Sequence, residues 1–108
     1  MATPITPPVN FDLTTLTGSG EWDEIIDPAT AYNWATLNVR SLSNKMLDLL
    51  VSATVPAAED DGMWLLPAGD ARSFDFTTPA QQVVGKLYAR STDGVTPTGT
   101  LAVDGANA

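Results

Sequence analysis

The sequence predicts an all-β fold: a small antiparallel β-sandwich or jelly-roll-like barrel with an extended N-terminal arm. Residues 33–41 and 46–55 alternate between apolar and polar side chains, which is typical of half-buried strands. Turn-forming residues separate the strand-like segments along the chain. The 108 residues include 14 threonines, whose branched side chains favour pleated sheets, and the chain is long enough for one hydrophobic core.

The first 32 residues are predicted to form a docking arm, followed by a sandwich domain over residues 33–108. Residues 1–32 contain four prolines and five acidic residues but no basic residue. Proline drives the preceding residue toward extended backbone, so the arm should run without a ladder of its own, apart from one helical turn at 27–30. We expect a partner to contact apolar side chains of the arm and an outward-facing tryptophan of the first domain strand: Ile5, Val9, Phe11, Leu13, Trp22 and Trp34.

The predicted domain begins with strand 33–41, in which Leu37 and Val39 point to one face. Turn formers at 42–45 predict a hairpin to the next strand, 46–55. Further strands are predicted at 63–66, 72–78, 82–91 and 99–104. Strands joined by turns, without intervening helices, are typical of an antiparallel sandwich or barrel.

The composition excludes several classes of function. Five Lys and Arg residues against 13 Asp and Glu residues give a net charge of −8. The basic residues are scattered, so we expect no direct binding of nucleic acid or of an anionic membrane surface. The chain has no His and no Cys, which excludes imidazole and thiolate chemistry. The sequence predicts neither a secretion signal nor a membrane span.

Acidic residues could in principle hold a metal ion or cleave a glycosidic bond. The run at 59–62 lacks the alternating oxygen ligands of a calcium loop, which favours a solvated loop tip. Hydrolysis by paired carboxylates needs a shaped cleft at a set separation. A small hydrolase that depends on these acids is kept as a third hypothesis, but we expect no enzyme activity, no cofactor and no metal.

The three tryptophans have different predicted roles. Trp64 lies inside an apolar segment, which favours a place in the core. Trp22 is flanked by acidic residues. Trp34 is predicted to point to the opposite face of its strand from Leu37 and Val39, because side chains alternate along a strand. Tryptophan is enriched at interface centres and stacks on sugar rings, so an interface role is expected for Trp22 and Trp34.

The second half of the chain contains three turn-and-strand segments: Leu66-Pro67-Ala68-Gly69-Asp70 leading to Phe74, Gly85-Lys86-Leu87-Tyr88-Ala89-Arg90-Ser91, and Gly99-Thr100-Leu101-Ala102-Val103. Together they resemble a recurrent pattern in small virion proteins of tailed bacteriophages. The resemblance covers under half of the chain. It implies a compact β-sandwich that decorates or cements the capsid, or that forms part of a neck, tail or fibre.

The resemblance leads us to expect a capsid decoration or cement protein. Such a protein binds the major capsid protein through its arm and sheet edges, is made in the host cytoplasm and lies on the capsid exterior. We also expect a homo-oligomer, because a neighbouring copy would shield the open edges of a small sheet. The expected oligomer is a trimer. The alternative is a tail or fibre module that binds host surface glycans through its tryptophans.

Overall fold

The computed structural model describes residues 3–4, 9–26, 32–75 and 83–107. Within these residues the chain forms a 3-10 helix, Leu13–Thr15, and nine β-strands. The strands are β1 (Thr3–Pro4), β2 (Val9–Asp12), β3 (Asp23–Ile26), β4 (Tyr32–Ser41), β5 (Leu47–Ser52), β6 (Trp64–Leu66), β7 (Ala71–Asp75), β8 (Val83–Ser91) and β9 (Thr100–Asn107).

The strands form two antiparallel sheets that pack as a β-sandwich, which confirms the predicted fold class. In the first sheet the order is β2–β9–β4–β7, and β1 pairs with the end of β9. In the second sheet the order is β3–β8–β5–β6. The start of β4 pairs with the start of β8, from Tyr32 opposite Gly85 to Trp34 opposite Val83, and so joins the two sheets at one end.

The core lies between the sheets and follows the period-two pattern of the sequence. Each central strand contributes its inward side chains, which are 0–3% exposed: Leu37 and Val39 from β4, Leu47, Leu49 and Val51 from β5, Leu87 and Ala89 from β8, and Leu101 and Val103 from β9. Trp64 and Phe74 pack against this core from the edge strands β6 and β7, as their patterns predicted.

Residues 9–26, which the sequence places in the arm, belong to the sandwich. Strand β2 pairs with β9, from Val9 opposite Val103 to Asp12 opposite Thr100, and β3 pairs with β8. Between them Leu13 is 0% exposed and Leu16 is 4% exposed, both in the core cluster. The apolar side chains of this segment therefore pack against the core of the same chain. The helical turn expected at 27–30 lies outside the described residues.

The predicted hairpin across residues 42–45 is wrong, because β4 and β5 lie in different sheets. Both edges of β4 are already paired, with β9 and with β7, so the chain must cross to the second sheet. The crossing is held by backbone bonds: Leu42 N–H donates to the carbonyl of Thr100 at 2.9 Å. Gly99 has φ +94° and lies so close to the Leu42 carbonyl that a Cβ would collide with it, which explains a glycine there.

Substitution of Leu13 tests whether the N-terminal segment is part of the fold. We expect Leu13→Ala to lower the free energy of unfolding by about 2–5 kcal/mol, because it leaves a cavity between the sheets. Urea unfolding followed by far-UV circular dichroism measures this change. Val55→Ala, at a position 82% exposed, is the control and should have little effect. Equal stability of the two variants would contradict the intramolecular packing of this segment.

Candidate functional site

Of the six residues predicted to bind a partner, those whose side chains the structure describes pack against other parts of the same chain. Val9 and Phe11 are partly buried and pack against the core. Leu13 has no exposed surface, and Trp22 is 8% exposed. Ile5 and the side chain of Trp34 lie outside what the structure describes. The four described side chains do not form one exposed surface, and binding of a partner by the six residues stays a prediction.

Trp22 is held against the outer face of the second sheet by Arg90. The Arg90 guanidinium lies 4.0 Å from the centre of the Trp22 ring, and Trp22 packs with Leu50 and Tyr88. The ring nitrogen of Trp22 donates to the carbonyl of Asp60 at 3.3 Å. A cation stacked on an indole is stabilising and covers the ring, so Trp22 presents no open platform to a sugar.

The same guanidinium ties two loops to the sheet. Its Nη1 donates to the carbonyls of Gly20 at 2.8 Å and Ala58 at 2.7 Å, and its Nη2 donates to the carbonyl of Asp60 at 3.1 Å. Its Nε lies 3.4 Å from an Asp48 carboxylate oxygen. The side chains of Arg90 and Asp48 are only 16% and 15% exposed, so this network is a structural clip that fixes loops 17–22 and 53–63 on the second sheet.

Trp64 is partly buried and has one ring face covered by another aromatic side chain. Its ring stacks on Phe74 with centroids 4.5 Å apart and an angle of 29° between the planes. The pair bridges β6 of one sheet and β7 of the other, so it closes the sandwich along that side. The core role predicted for Trp64 is confirmed. Of the described tryptophan side chains, those of Trp22 and Trp64 are both committed to internal contacts.

Several acidic residues stabilise turns. The Asp23 carboxylate accepts from the Thr17 amide at 2.8 Å and from the Thr17 hydroxyl at 2.7 Å. Asp60 accepts from the Ala57 amide at 2.8 Å, which closes the loop before β6. Across the described part of the chain, no three acidic side chains gather in a group that could hold a metal ion.

Two carboxylates have a lowered pKa. The Lys45 ammonium, 2.7 Å from Asp93, lowers the pKa of that carboxyl, and the backbone N–H of Val95 adds to the effect. At Asp12 the hydroxyl of Thr14 and then its backbone N–H lower the pKa. In both cases hydrogen bonds favour the ionised form of an exposed turn carboxylate.

The outer face of the first sheet contains a groove of about 320 Å³. Its lining comes from β4, β7 and β9: Asn38, Val39, Arg40, Ala71, Arg72, Ser73, Ala102, Val103 and Asp104. Arg40 is opposite Ala102 on one side and Ala71 on the other. Because both neighbours are alanines, the sheet leaves open space around an exposed arginine.

Exposed apolar side chains mark the edge of the second sheet at β6. Leu65 is 51% exposed, and Met63, which directly precedes the strand, is 47% exposed. β6 is the last strand on this side of the sheet, so its outer edge has no neighbouring strand among the described residues. An edge strand with apolar side chains is a template for pairing with another polypeptide.

Sequence reasoning did not find the groove or the role of Arg90. The groove residues come from three strands that are distant in sequence and adjacent only through the sheet order. The one available signal was Arg40 at an outward position of a strand with clear alternation. Nothing local to Arg90 indicates that it reaches Trp22, because the contact depends on the fold.

Comparisons with protein-family models, with curated proteins and with solved structures find no match to this chain. None of the described residues form a helix with the length and apolar character that a membrane crossing requires.

Replacing the Arg90 guanidinium should weaken the attachment of both loops to the second sheet. We expect Arg90→Lys to lower the free energy of unfolding by about 1–3 kcal/mol, because an ammonium cannot both stack on Trp22 and reach the loop carbonyls. Urea unfolding followed by tryptophan fluorescence measures the change. Arg72→Lys is the matched control and should be neutral. If both variants unfold at the same urea concentration, the clip does not hold the loops.

Acid should destabilise the protein through Asp12 and Asp93. Because their pKa is lowered in the folded state, their contribution to stability is present above the unfolded pKa and is lost as the pH falls through the folded pKa. We expect the midpoint of urea unfolding to fall as the pH drops below about 4. Asp93→Asn should reduce this dependence, whereas Val55→Ala, an uncharged substitution at an exposed position, should not. A wild-type midpoint that stays constant down to about pH 2 would contradict this account.

Proposed function

We propose that this chain is a non-catalytic structural protein of a tailed-bacteriophage virion, and that it decorates or cements the capsid. The proposal of a virion protein rests on the resemblance of residues 62–104 to small virion proteins of tailed bacteriophages. The structural support is the edge strand β6, with half-exposed Met63 and Leu65 beside an unpaired strand edge. Such an edge can accept an extended segment of the shell protein as an additional strand.

The charge around this edge supports a particular kind of partner segment. Glu59, Asp60 and Asp61 lie just before β6 in an exposed loop. A shell segment with apolar side chains against Leu65 and basic side chains near the loop would complement both features. The negative charge of the chain also suits the outside of a particle better than contact with packaged DNA.

Glycan binding by a tail or fibre module remains the alternative, but no feature of the described residues favours it. Trp22 is 8% exposed and stacked under Arg90, and Phe74 covers one face of the Trp64 ring. A glycan reader would need an open aromatic face or a set of polar groups directed at the sugar. The capsid proposal requires only the exposed edge and the rigid sandwich that carries it.

Sedimentation with empty shells tests the proposal. Shells assembled from the major capsid protein of the source phage are mixed with this protein and pelleted, and the bound fraction is measured. The double variant M63K/L65K should bind at least about tenfold more weakly, because it places two charges where an apolar contact is expected. The control L42K/V95K adds the same charges at exposed apolar positions outside β6 and should bind like the wild type.

Two results would contradict the proposal. Wild-type protein that stays in the supernatant at saturating shell concentration would contradict a role on the capsid. Equal binding by M63K/L65K and wild type would show that the protein does not attach through β6. Circular dichroism of each variant shows that the sandwich is still folded.

A further inference from the structure

Three aspartates of the chain are directly followed by glycine: Asp61, Asp93 and Asp104. The amide nitrogen of the residue after an aspartate can attack the side-chain carboxyl and close a five-membered succinimide ring. Glycine allows this most readily, because it has no side chain to obstruct the attack and the greatest backbone freedom. The reaction also needs a carboxyl group without fixed hydrogen bonds and a backbone that can rotate, so the fold decides which of the three sites reacts.

Asp93 is held away from this reaction by two donors. Its carboxylate accepts from the Lys45 ammonium at 2.7 Å and from the backbone N–H of Val95 at 2.9 Å, so both oxygens are engaged. These bonds fix the carboxylate away from the Gly94 nitrogen. They also lower the pKa of Asp93 and favour the ionised form, which is the weaker electrophile.

Asp104 is restrained by the first sheet. It lies in β9 opposite Asn38 of β4, and its carboxylate accepts from the Asn38 amide at 2.6 Å. Gly105 lies opposite Leu37 in the same pairing. Ring closure needs the Asp104 backbone to rotate out of the extended conformation, which would break the pairing of β9 with β4.

Asp61 has neither restraint. Its side chain is exposed and forms no hydrogen bond or ion pair with another described residue, and the Gly62 amide donates to none of them. Both residues lie outside the strands. The fold requires glycine at position 62, because a Cβ there would collide with the Asp48 carboxylate. The packing of the loop therefore keeps a glycine directly after an aspartate whose carboxylate is free.

We propose that Asp61 is a site of spontaneous isomerisation to isoaspartate. The Gly62 nitrogen forms a bond to the Cγ carbon of Asp61, and the hydroxyl of that carboxyl leaves as water with the amide proton. Water then opens the succinimide at either carbonyl carbon. Attack at Cγ restores aspartate, whereas attack at the backbone carbonyl leaves the chain linked through Cγ. The water released in the first step is taken up in the second, so the rearrangement needs no oxidant or co-reactant.

Isoaspartate at this position would change the loop between two of its anchors. The carbonyl of Asp60 accepts from the Trp22 ring nitrogen at 3.3 Å and from Arg90 Nη2 at 3.1 Å, and the Met63 amide donates to the Leu49 carbonyl at 2.8 Å. The rearrangement inserts one methylene group into the backbone between these anchors. We expect isomerised chains to lose the bonds at Asp60 and to expose Trp22. This change would occur in the free protein, whatever partner the chain binds.

Peptide mapping of aged protein tests the proposal. The full chain is incubated at neutral pH and digested with a protease that cleaves at aspartate but not at isoaspartate, and the products are measured by mass spectrometry. Isoaspartate should accumulate at Asp61 at least about tenfold faster than at Asp93 or Asp104. In protein unfolded with urea, the rates at the three sites should agree within a factor of about three, because the fold no longer distinguishes them.

The matched control is D61E. Glutamate keeps the charge but would have to close a six-membered ring, which forms far more slowly, so this position should stay unmodified. During the incubation the tryptophan emission of the wild type should shift to longer wavelength in proportion to the isomerised fraction, because Trp22 becomes exposed. The emission of D61E should stay constant. Circular dichroism at the start shows that both proteins are folded.

Each other outcome overturns part of this inference. Isoaspartate that fails to accumulate at Asp61, or that forms at Asp93 or Asp104 at an equal rate, overturns the proposed site. An order of rates that is unchanged in urea would show that the fold does not select it. Equal emission of isomerised and fresh protein would show that the loop keeps its anchors. None of these results bears on sedimentation with shells, so the proposed function is tested separately.

Discussion

Strand β9 is the element on which the rest of the structure depends, because it is paired along both of its edges. Val103 lies opposite Val9 on one side and opposite Val39 on the other. Leu101 and Val103 fill the core with their inward side chains, which are 0% and 1% exposed. Through this pairing the last strand of the chain draws the N-terminal residues into the first sheet.

This arrangement decides which parts of the molecule are available for function. Once β2 and the 3-10 helix are built into the sandwich, their apolar side chains stabilise the fold and have little surface left for a partner. Recognition then depends on what the sandwich leaves outside: the edge at β6, the groove on the first sheet and the loops over the second sheet. The Arg90 network is important here because it gives the loops a fixed position without exposing Trp22.

The period-two pattern was sufficient to predict the fold class, since alternation in residues such as Leu37 and Val39 depends only on one buried face. It could not predict which strands are neighbours, because alternation is the same whatever lies alongside. For that reason the expected hairpin at 42–45 proved to be a crossing between sheets, and the pairing of β2 with β9 was missed. The groove and the contact between Arg90 and Trp22 could not be predicted from the sequence for the same reason, because both join segments that are far apart along the chain.

If residues 9–26 are part of the sandwich, the protein binds through its faces and edges. Native-state amide hydrogen exchange of the free protein shows whether this segment is folded with the sheets. We expect the amide of Leu13, which donates to the Gly99 carbonyl at 2.9 Å, to be protected to the same extent as amides in β4 and β9. Exchange of residues 9–26 at the rate of an unfolded chain, while β4 and β9 stay protected, would contradict it.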